Sequence, residues 1–316
     1  MNILVIGGAG YIGSHVVHEL CDQKYNVTVL DNLSTGFLSN LDKRADFIED
    51  SFTNISNYKI LKSIDCVIHL AALKAAGESM DNPIKYSKQN IINSIELINT
   101  CIKYEIKNFI FSSSAAVYGY PKYLPIDENH DLNPINYYGF SKLMIEEQLL
   151  WYNKLKDLNI ALLRYFNAAG YDIKQRIKNK ENNPQNLIPI VMEVASGERD
   201  KLNIFGGDYN TPDGTCLRDY IHVNDLARGH VKAIEMLKNN NKKIITNLAT
   251  GNYHSVLDVV NKTSEIINKE INYSIVDRRA GDPDKLFAKS NNVLNHKNKY
   301  SDLDTIINST WRIYKD

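Results

Sequence analysis

Short apolar runs and amphipathic stretches alternate along the first half of the chain. The apolar runs have the length of buried strands, and several of the stretches between them repeat apolar residues at helical spacing. Strands that alternate with helices indicate a parallel sheet covered by helices on both faces. The predicted strands are residues 2–7, 26–31, 46–48, 66–70, 108–112 and 160–165, and the predicted helices are 11–23, 56–63, 83–103 and 138–156.

This alternation loosens after about residue 170. Beyond it the pattern predicts helices at 187–197, 226–237 and 256–267, strands at 202–205 and 272–276, and a run at 243–248 that would return a strand to the sheet. Residues 174–184 are polar and rich in Asn and Lys, which is typical of a surface loop with some mobility. The chain therefore divides into a larger first part and a smaller second one.

A glycine-rich turn joins the first predicted strand to the first predicted helix. Gly7, Gly10 and Gly13 fit the spacing G-x-x-G-x-x-G, and Gly8, Gly10 and Gly13 also fit G-x-G-x-x-G. Glycines let the backbone approach a ligand that side chains would block, and the helix N-terminus offers unpaired N–H groups to an anion. We predict a pyrophosphate site here, although a plain tight turn gives the same pattern on its own.

The second predicted strand ends in Asp31, at the spacing of the acid that binds an adenosine ribose. A carboxylate accepts hydrogen bonds from the ribose hydroxyls and repels a 2′-phosphate, so we predict NAD over NADP; the alternative is a turn former at a strand end. The two features predict a Rossmann-type doubly wound parallel sheet as an NAD-binding domain of residues 1–170. Residues 171–316 are then mainly a smaller C-terminal α/β lobe that supplies the substrate pocket.

The charge balance argues against electrostatic partners. Among 316 residues, 37 basic side chains face 37 acidic ones, so no excess charge favours nucleic acid or an anionic membrane. No apolar stretch approaches the ~20 residues of a membrane span, and no signal-like segment opens the chain. The cysteines form no C-x-x-C pair and lie at Cys21, Cys66, Cys101 and Cys216. We expect reduced, buried thiols in a soluble cytoplasmic protein, with neither disulfides nor a metal site.

Candidate proton-transfer residues follow the fifth predicted strand. Ser112–Ser114 close that strand, and Tyr138 and Lys142 open the next long helix, where residues i and i+4 share one face. A positive charge ~4 Å from the phenol in an effective dielectric of ~20 is worth roughly 4 kcal/mol, or about three pKa units. That would bring the tyrosine into the working range of a base. On most helices a tyrosine and a lysine at this spacing simply belong to a face exposed to solvent. Here their position after a predicted dinucleotide site favours a role in proton transfer.

With these residues in place, the chain resembles the extended short-chain dehydrogenase/reductase superfamily, and within it the UDP-glucose 4-epimerases. The resemblance runs nearly from end to end. Its motifs are Gly7–Gly13, Asp31–Ser34, His69–Lys74, Phe111–Ser114, Tyr138 with Lys142, Leu163–Asn167, Asp213–Val223 and Arg278–Asp282. It implies an NAD-dependent isomerase that inverts C4 of a UDP-hexose through a 4-keto intermediate.

The resemblance also implies roles for the serine, tyrosine and lysine. Tyr138 would take the proton of the sugar 4-hydroxyl while NAD takes the hydride from C4, and Ser114 would hydrogen-bond that oxygen or relay the proton. Lys142 would hold the nicotinamide ribose and depress the pKa of the tyrosine. The 4-keto sugar would then turn and receive the same hydride on its other face.

Further contacts carry over by the same resemblance. The predicted cofactor contacts are Gly7, Gly10, Tyr11, Ile12, Gly13, Asp31, Asn32, Asp50, Ser51, Leu70, Ala71, Ala72, Lys74, Ser114, Tyr138, Lys142 and Phe166. The predicted substrate contacts are Ser114, Tyr138, Asn167, Asn186, Leu187, Phe205, Arg218, Arg279, Asp282 and Leu286. Two guanidiniums suit a diphosphate and an aromatic ring suits the uracil face, although a surface ion pair is the alternative for the arginines.

Two positions depart from the pattern of the family. Where a relative often places an adenine-contacting Asp after the third strand, this chain has Ser51, with Asp50 one place earlier, so either residue is the candidate contact. Where some members have a tyrosine lining the sugar pocket, this chain has Leu286. The smaller side chain leaves volume beside C2 of the sugar, so we expect UDP-N-acetylglucosamine to be accepted as well as UDP-glucose.

Two other functions fit part of the pattern. A nucleotide-sugar 4,6-dehydratase shares the cofactor site, but its family carries Asp-Glu where this chain has Ala115 and Ala116. A non-catalytic NAD-binding regulator would usually lose Tyr138. The family usually dimerises through the helices predicted here at 83–103 and 138–156, so a homodimer is implied by resemblance.

Overall fold

A seven-stranded parallel sheet forms the centre of the molecule. The structure is a computed structural model, and it describes residues 1–239, 241–279, 281–289 and 297–315. With strands numbered along the chain, this sheet contains β1 (Asn2–Ile6), β2 (Asn26–Asp31), β3 (Asp46–Glu49), β4 (Cys66–His69), β5 (Asn108–Ser114), β6 (Asn159–Tyr165) and β11 (Lys243–Leu248). Its inner strands are runs of buried Val, Ile, Leu and Phe, because a parallel sheet is covered on both faces.

The strand order of the sheet is β11-β6-β5-β4-β1-β2-β3. The chain builds from β1 through β2 to β3 on one side, and then continues at β4 on the other side of β1. A crevice therefore opens between the carboxyl ends of β1 and β4, which is where open α/β sheets bind ligands. The expected doubly wound sheet is confirmed, including the returning strand β11.

Helices cover both faces of the sheet. Their bounds are α1 (Tyr11–Asp22), α2 (Ala76–Asp81), α3 (Pro83–Tyr86), α4 (Asn93–Lys103), α5 (Tyr137–Leu155), α6 (Leu187–Ser196), α7 (Val223–Lys238), α8 (Val256–Ile267) and α9 (Leu303–Tyr314). On one face, Val16 of α1 and Leu226 of α7 join the core around Val5. On the other face, Leu97 of α4 and Leu149 of α5 form the core. The helix α7 thus packs on the sheet although it lies in the second part of the sequence.

The second part of the chain adds a smaller layer of helices and short strands. Its strands are β7 (Asn167–Ala169), β8 (Leu202–Phe205), β9 (Leu217–Arg218), β10 (Tyr220–His222), β12 (His254–Ser255), β13 (Tyr273–Val276) and β14 (Lys285–Leu286). Helices α6, α8 and α9 share an apolar core that includes Met192, Val259 and Ile307. Tyr11, at the start of α1, packs against this core, so the lobe rests beside the glycine-rich turn.

Several elements differ from the sequence expectation, which lacks α2 and the short strands β7, β9, β10, β12 and β14. Residues 56–63 belong to two 3-10 turns, Phe52–Asn57 and Lys59–Ser63, because Ser and Asn favour local turns over helix. A π-helical stretch, Ser87–Ile92, interrupts the helix expected at 83–103. The helix α9 is absent from the expectation, although Asp302 caps its N-terminus.

Three further expectations concern membrane-spanning helices, the cysteines and the loop at 174–184. None of the helices in the described ranges is long and apolar enough to cross a membrane. The four cysteines are free and buried, as expected. Residues 174–184 form an irregular loop, which confirms that part of the prediction.

Candidate active site

The glycine-rich turn after β1 has a shape that side chains would prevent at two positions. Gly7 has a φ of +80°, and a Cβ there would lie 2.6 Å from the backbone nitrogen of Ala71. A Cβ on Gly13 would lie 2.1 Å from the carbonyl oxygen of Gly7. Both neighbours are backbone atoms that cannot easily move aside. The two glycines therefore let β1, α1 and the loop after β4 pack closely.

Gly10 differs from these two glycines, because the chain gives no steric reason for it. A Cβ on Gly10 would come no nearer than 3.5 Å to the carbonyl oxygen of Gly7, which is an ordinary contact. Gly10 stands at the N-cap of α1, where no side chain caps the helix. A bare backbone at a free helix N-terminus fits the close approach of a pyrophosphate.

Tyr11 and Ile12 form the first turn of α1, beside this site. The hydroxyl of Tyr11 donates a hydrogen bond to the carbonyl oxygen of Gly170 at 2.5 Å. The side chain of Tyr11 thus fastens α1 to the segment that leads into the second part. The contact of Tyr11 with a cofactor stays a prediction.

Asp31 ends β2 next to the turn, as predicted. Its Oδ2 accepts a hydrogen bond from the N–H of Ala9 at 2.9 Å, and its Oδ1 accepts one from the N–H of Leu33 at 2.8 Å. These bonds fix the carboxylate, and each of its oxygens keeps a further lone pair for a ribose hydroxyl. Asn32 follows in an exposed position. The residues present therefore fit an NAD molecule whose ribose carries no 2′-phosphate.

Asp50 and Ser51 follow β3, where the adenine contact is expected. Both carboxylate oxygens of Asp50 are occupied within its own loop, by the N–H of Ser51 at 2.7 Å, the amide of Asn54 at 2.9 Å and the hydroxyl of Tyr58 at 2.6 Å. The hydrogen bond from Tyr58 is the main reason that the pKa of Asp50 is lowered. Asp50 thus shapes the loop, and which of the two residues contacts adenine stays a prediction.

The loop after β4 carries the predicted contacts Leu70, Ala71, Ala72 and Lys74. The N–H groups of Leu70 and Ala71 donate to the carbonyl of the last residue of β1, at 2.9 and 3.1 Å. Asn90 holds the next part of the loop, because its side-chain amide both accepts from the N–H of Leu73 and donates to the carbonyl of Leu73, each at 2.9 Å. These bonds place the loop alongside the glycine-rich turn.

The candidate catalytic tyrosine and serine lie close together. Tyr138 is in the first turn of α5, which Asn136 caps by accepting a hydrogen bond from the N–H of Gly139 at 2.8 Å. A Cβ on Gly139 would lie 2.4 Å from the carbonyl oxygen of Ala116, so this glycine lets α5 approach the turn after β5. As a result, the hydroxyl of Ser114 lies close enough to the phenol of Tyr138 to act on its pKa.

Lys142 is buried one helical turn beyond Tyr138. Its Nζ donates a hydrogen bond to the carbonyl oxygen of Ser112 at 2.8 Å. The same atom lies 4.9 Å from the ring centre of Phe111 and 5.8 Å from the ring centre of Tyr138. The serine, tyrosine and lysine are thus brought together at the carboxyl end of β5.

Burial is the main influence on the pKa values of this group. Burial lowers the pKa of Lys142 to about 7, and the negative charge of Glu146 opposes that shift. Burial raises the pKa of Tyr138, and the nearby hydroxyl of Ser114 opposes that shift. The depression of the phenol pKa by Lys142 stays a prediction, because the ammonium donates to the Ser112 carbonyl and burial sets the direction of the phenol pKa here.

A buried ion pair holds α5 against the sheet. Arg164 of β6 bonds to Glu146 of α5 through Nη2 and Oε2 at 2.6 Å and through Nε and Oε1 at 3.0 Å. Ser113 donates a further hydrogen bond to Glu146. The other arm of Arg164 donates to the hydroxyl of Tyr118 at 3.0 Å, and that hydroxyl donates to Asn247 at 2.6 Å. This network ties α5 to β5, β6 and β11.

Three predicted substrate residues, Asn167, Asn186 and Leu187, lie near the boundary between the two parts. Asn167 follows the buried Phe166, and both its backbone N–H and its side-chain amide donate to the carbonyl oxygen of Asp219 at 3.0 Å. Asn186 stands at the N-cap of α6 with no side-chain hydrogen bond to the helix, followed by Leu187 at its first position. The amide of Asn186 is therefore available to a ligand.

The two predicted diphosphate-binding arginines converge on one carboxylate. Arg279 bonds to Oδ2 of Asp282 through Nε at 2.9 Å and Nη2 at 2.8 Å, and Nη2 of Arg218 lies 3.7 Å from Oδ1. The guanidinium of Arg279 also lies over the ring of Phe205, 5.1 Å from its centre. A cleft of about 540 Å³ opens beside Arg279 and Asp282. Its lining includes Arg278 and Arg279 together with three carboxylates, Asp208, Asp282 and Asp284, and its size suits the nucleotide half of a substrate.

Leu286 lies between the two halves of the site. In β14 it pairs with Arg218 of β9, and its side chain packs in the core cluster that contains Phe166 and Val117. Leu286 thus lies between the predicted diphosphate contact Arg218 and the predicted cofactor contact Phe166.

Several residues that shape the site are missing from the sequence prediction. Gly139 and Asn90 position α5 and the loop after β4, and Arg278 stacks over the ring of Tyr209, with its guanidinium carbon 4.2 Å from the ring centre. For Gly139 the signal was a glycine directly after the tyrosine, and for Arg278 it was the doubled arginine. The position of Asn90, seventeen residues from its partner Leu73, has no local signal.

An acid that ends the second strand beside a glycine-rich turn is the usual way for an α/β sheet to hold a dinucleotide. A tyrosine with a lysine one turn later is the proton-transfer set of the short-chain dehydrogenases, so the fold and site define a dinucleotide-dependent enzyme of that class. More narrowly, the chain belongs to the NAD dependent epimerase/dehydratase family, whose model matches residues 3–249.

Individual relatives agree over their whole length. A UDP-glucose 4-epimerase of Halalkalibacterium halodurans is 40% identical over 100% of this chain and 96% of the relative. A crystal structure of UDP-glucose 4-epimerase from Brucella ovis in complex with NAD is 41% identical, with a TM-score of 0.94 over 99% of this chain and 98% of that one. The UDP-Glc/GlcNAc 4-epimerase of Campylobacter jejuni is 36% identical, with a TM-score of 0.85 over 99% of each chain.

Replacement of Gly13 tests the dinucleotide turn. We expect Gly13→Ala to weaken NAD binding by at least ~10-fold, equivalent to ~1.4 kcal/mol, because the new Cβ would displace the Gly7 carbonyl and open the turn. Fluorescence titration of protein stripped of nucleotide measures this. Gly77→Ala is the matched control, since a Cβ there would meet nothing within 4 Å, and it should bind like the parent protein. Equal affinity in both variants would contradict the assignment of the turn.

Proposed function

We propose that the chain catalyses the NAD-dependent inversion of C4 in a UDP-hexose, interconverting UDP-glucose and UDP-galactose. The observation that carries this proposal is the gathering of Ser114, Tyr138 and Lys142 at the carboxyl end of β5, two strands along the sheet from the glycine-rich turn after β1. The names of the relatives described above support the same activity. Conversion of UDP-galactose to UDP-glucose without added NAD by the purified protein tests it, because an epimerase regenerates its cofactor in each cycle.

The residues of the chain divide the work of the reaction. Tyr138, in its phenolate form, accepts the proton of the sugar 4-hydroxyl, and Ser114 holds the same oxygen in line with the phenol. The ammonium form of Lys142 favours that phenolate by placing a positive charge beside it. A bound NAD, held by the glycine-rich turn and Asp31, would supply the acceptor and donor of the hydride at C4.

The substrate side must hold the UDP half while the hexose turns. Arg218 and Arg279 supply two positive charges for the diphosphate, and Asp282 keeps both guanidiniums in one place. Phe205, next to Arg279, offers a ring for the uracil. A firm grip on the nucleotide restricts motion to the bond that links the sugar to the diphosphate.

The rival functions lack support in the same site. A 4,6-dehydratase needs an acid and a base to eliminate water, and the two residues after Ser114 are Ala115 and Ala116, whose side chains can do neither. A non-catalytic NAD sensor has no need of a serine, a tyrosine and a lysine gathered at the end of β5.

Leu286 supports activity on the larger acetamido sugars. The side chain packs beside Phe166 and pairs with Arg218, the predicted cofactor and diphosphate contacts, and it is smaller than the tyrosine of some family members. The extra volume admits an N-acetyl group at C2 without excluding a hydroxyl, because pocket size alone discriminates by only ~1–3 kcal/mol. The name of the Campylobacter jejuni relative includes both kinds of sugar, which supports dual specificity here.

An exposed apolar stripe supports the expected homodimer. Along α5, Phe140, Met144, Trp151 and Leu155 recur at helical spacing and are exposed. Ile84, which is 86% exposed, extends the apolar surface onto α3. A second copy of the chain would bury the same stripe on both partners around a two-fold axis.

A cytoplasmic location completes the proposal. The four free, buried thiols suit a reducing compartment. The substrates we propose are nucleotide sugars, whose charged diphosphate does not cross a membrane unaided.

Replacement of Tyr138 tests the proton transfer. We expect Tyr138→Phe to lower turnover of UDP-galactose by ~10²–10⁴-fold, because it removes the base but little surface. NAD content should stay at the parent level. Tyr137→Phe is the matched control, since the neighbouring hydroxyl bonds to Ser87 and not to Ser114, and it should retain activity. Turnover of Tyr138→Phe at the parent rate would remove this residue from the mechanism.

Replacement of Leu286 tests the sugar specificity. We expect Leu286→Tyr to lower kcat/KM for UDP-N-acetylglucosamine by ~10–200-fold and to leave UDP-glucose largely unaffected, because the added ring fills the space beside C2. Leu286→Met keeps the volume and should keep both activities. Undetectable activity of the parent protein on the acetamido sugar would end this proposal.

Replacement of Trp151 tests the dimer. Light scattering should give the parent protein twice the chain mass of 36.0 kDa. Trp151→Glu should give single chains, because the new charge would be buried unpaired in the interface. Ile275→Glu places a charge on a similarly exposed apolar residue outside the stripe and should leave the dimer intact. A parent protein that scatters as a single chain would refute the dimer.

A further inference from the structure

Residues 172–181, called the strap below, run from the second part of the fold back to the edge of the sheet. At the near end, Arg176 bonds to Asp172 of the strap itself at 2.8 Å and to Asp22 of α1 at 2.8 Å. Ile177 inserts its side chain into the apolar core of the second part and is fully covered. The strap is therefore fastened at its start to both parts of the molecule.

A reciprocal amide pair fastens the middle of the strap. The N–H of Asn179 donates to Oδ1 of Asn40 at 3.1 Å, and Nδ2 of Asn40 donates to the carbonyl oxygen of Asn179 at 3.1 Å. The side chain of Asn179 adds a bond to Ser39 at 2.6 Å. Asn40 is buried in the connection from β2 to β3. This bonding pattern resembles that of paired strands, and it holds the strap to the connection that follows Asp31.

An ion pair fastens the far end of the strap. The carboxylate of Glu181 bonds to the ammonium of Lys74, which lies in the loop after β4. The N–H of Glu181 donates to the hydroxyl of Tyr171 at 3.1 Å. This bond fixes the backbone of Glu181 and so helps to position its carboxylate. Glu181 is mostly covered, whereas Lys74 is half exposed.

The topology fixes what lies between these attachments. The strand β1 runs between β4 and β2 in the sheet. A segment that is bonded to the β2–β3 connection on one side and to the loop after β4 on the other must pass over the end of β1, which is the glycine-rich turn. A small cavity between the strap and the turn is lined by Ala9 and Ser14 on one side and by Asn179 and Glu181 on the other.

We propose that Glu181 is a positioning residue for cofactor retention, which holds Lys74 and so closes the strap over the dinucleotide bound at the glycine-rich turn. The inference rests on the proposed NAD-dependent function, and it adds the contact that must break before the cofactor leaves. Retention matters for this chemistry, because a cofactor lost between the two hydride transfers would leave the sugar as a ketone.

The strap also offers a matched ion pair that does not reach the cofactor loop. Lys180 bonds to Glu198, which lies just beyond α6. Replacement of Glu198 takes away the partner of Lys180, the strap residue next to Glu181. It leaves the ion pair between Lys74 and Glu181 in place. Glu181→Gln and Glu198→Gln therefore make the same chemical change at neighbouring attachments.

The rate at which bound NAD leaves the holoenzyme tests the proposal. Each variant is loaded with radiolabelled NAD and diluted into excess unlabelled NAD, and the label retained on the protein is followed. We expect Glu181→Gln to release NAD roughly two- to fivefold faster than the parent protein, and Glu198→Gln to release it at the parent rate. Added salt should speed release from the parent protein more than from Glu181→Gln, because it screens the ion pair.

Unchanged release from Glu181→Gln would overturn the proposal, and so would slower release, which would mean that Glu181 competes with the diphosphate for Lys74. Equal acceleration in both variants would also overturn it, since it would show only a loosened loop. The measurement needs no sugar turnover. A failure to epimerise is therefore distinguishable from a failure of retention.

Discussion

The ion pair between Arg164 and Glu146 is the interaction on which the geometry of the candidate active site depends. Both side chains are almost fully buried, so loss of either partner would leave an uncompensated charge at a cost of ~3–5 kcal/mol. Along Ser112–Ser114, each serine meets α5 at a different turn: the first through Lys142, the second through Glu146 and the third through Tyr138. The ion pair holds Glu146, which makes the second of these three contacts. It thereby fixes the register between the strand that carries Ser114 and the helix that carries Tyr138.

Much of the sheet could be predicted from the sequence, because its strands are buried on both faces and their apolar runs leave little choice of structure. The glycine-rich turn and Asp31 were readable for a related reason. Each is a short local motif, and the spacing between its residues follows from the size of a dinucleotide. The resemblance to a family supplied the residues of the second part, such as Arg218 and Arg279, which share no local pattern and meet only after folding.

Other features depend on contacts that no local pattern encodes. Lys74 and Glu181 are 107 residues apart, and their meeting follows from the path of the strap across the sheet. The raised pKa of Tyr138 reflects how deeply α5 packs, which the spacing of tyrosine and lysine does not reveal. The short 3-10 turns before β4 were mistaken for a helix because apolar spacing alone cannot distinguish one tight turn from several.

The buried cysteines have a consequence for following the molecule as it opens. Cys66 of β4 and Cys101 of α4 are both wholly covered, and burial raises the pKa of each thiol well above its usual range. Alkylation needs the thiolate, so these two sulfurs are protected twice, by coverage and by protonation. The rate at which they are alkylated would therefore report how often β4 and α4 separate. The two native cysteines can thus serve as probes of opening in the core of the sheet, without any added label site.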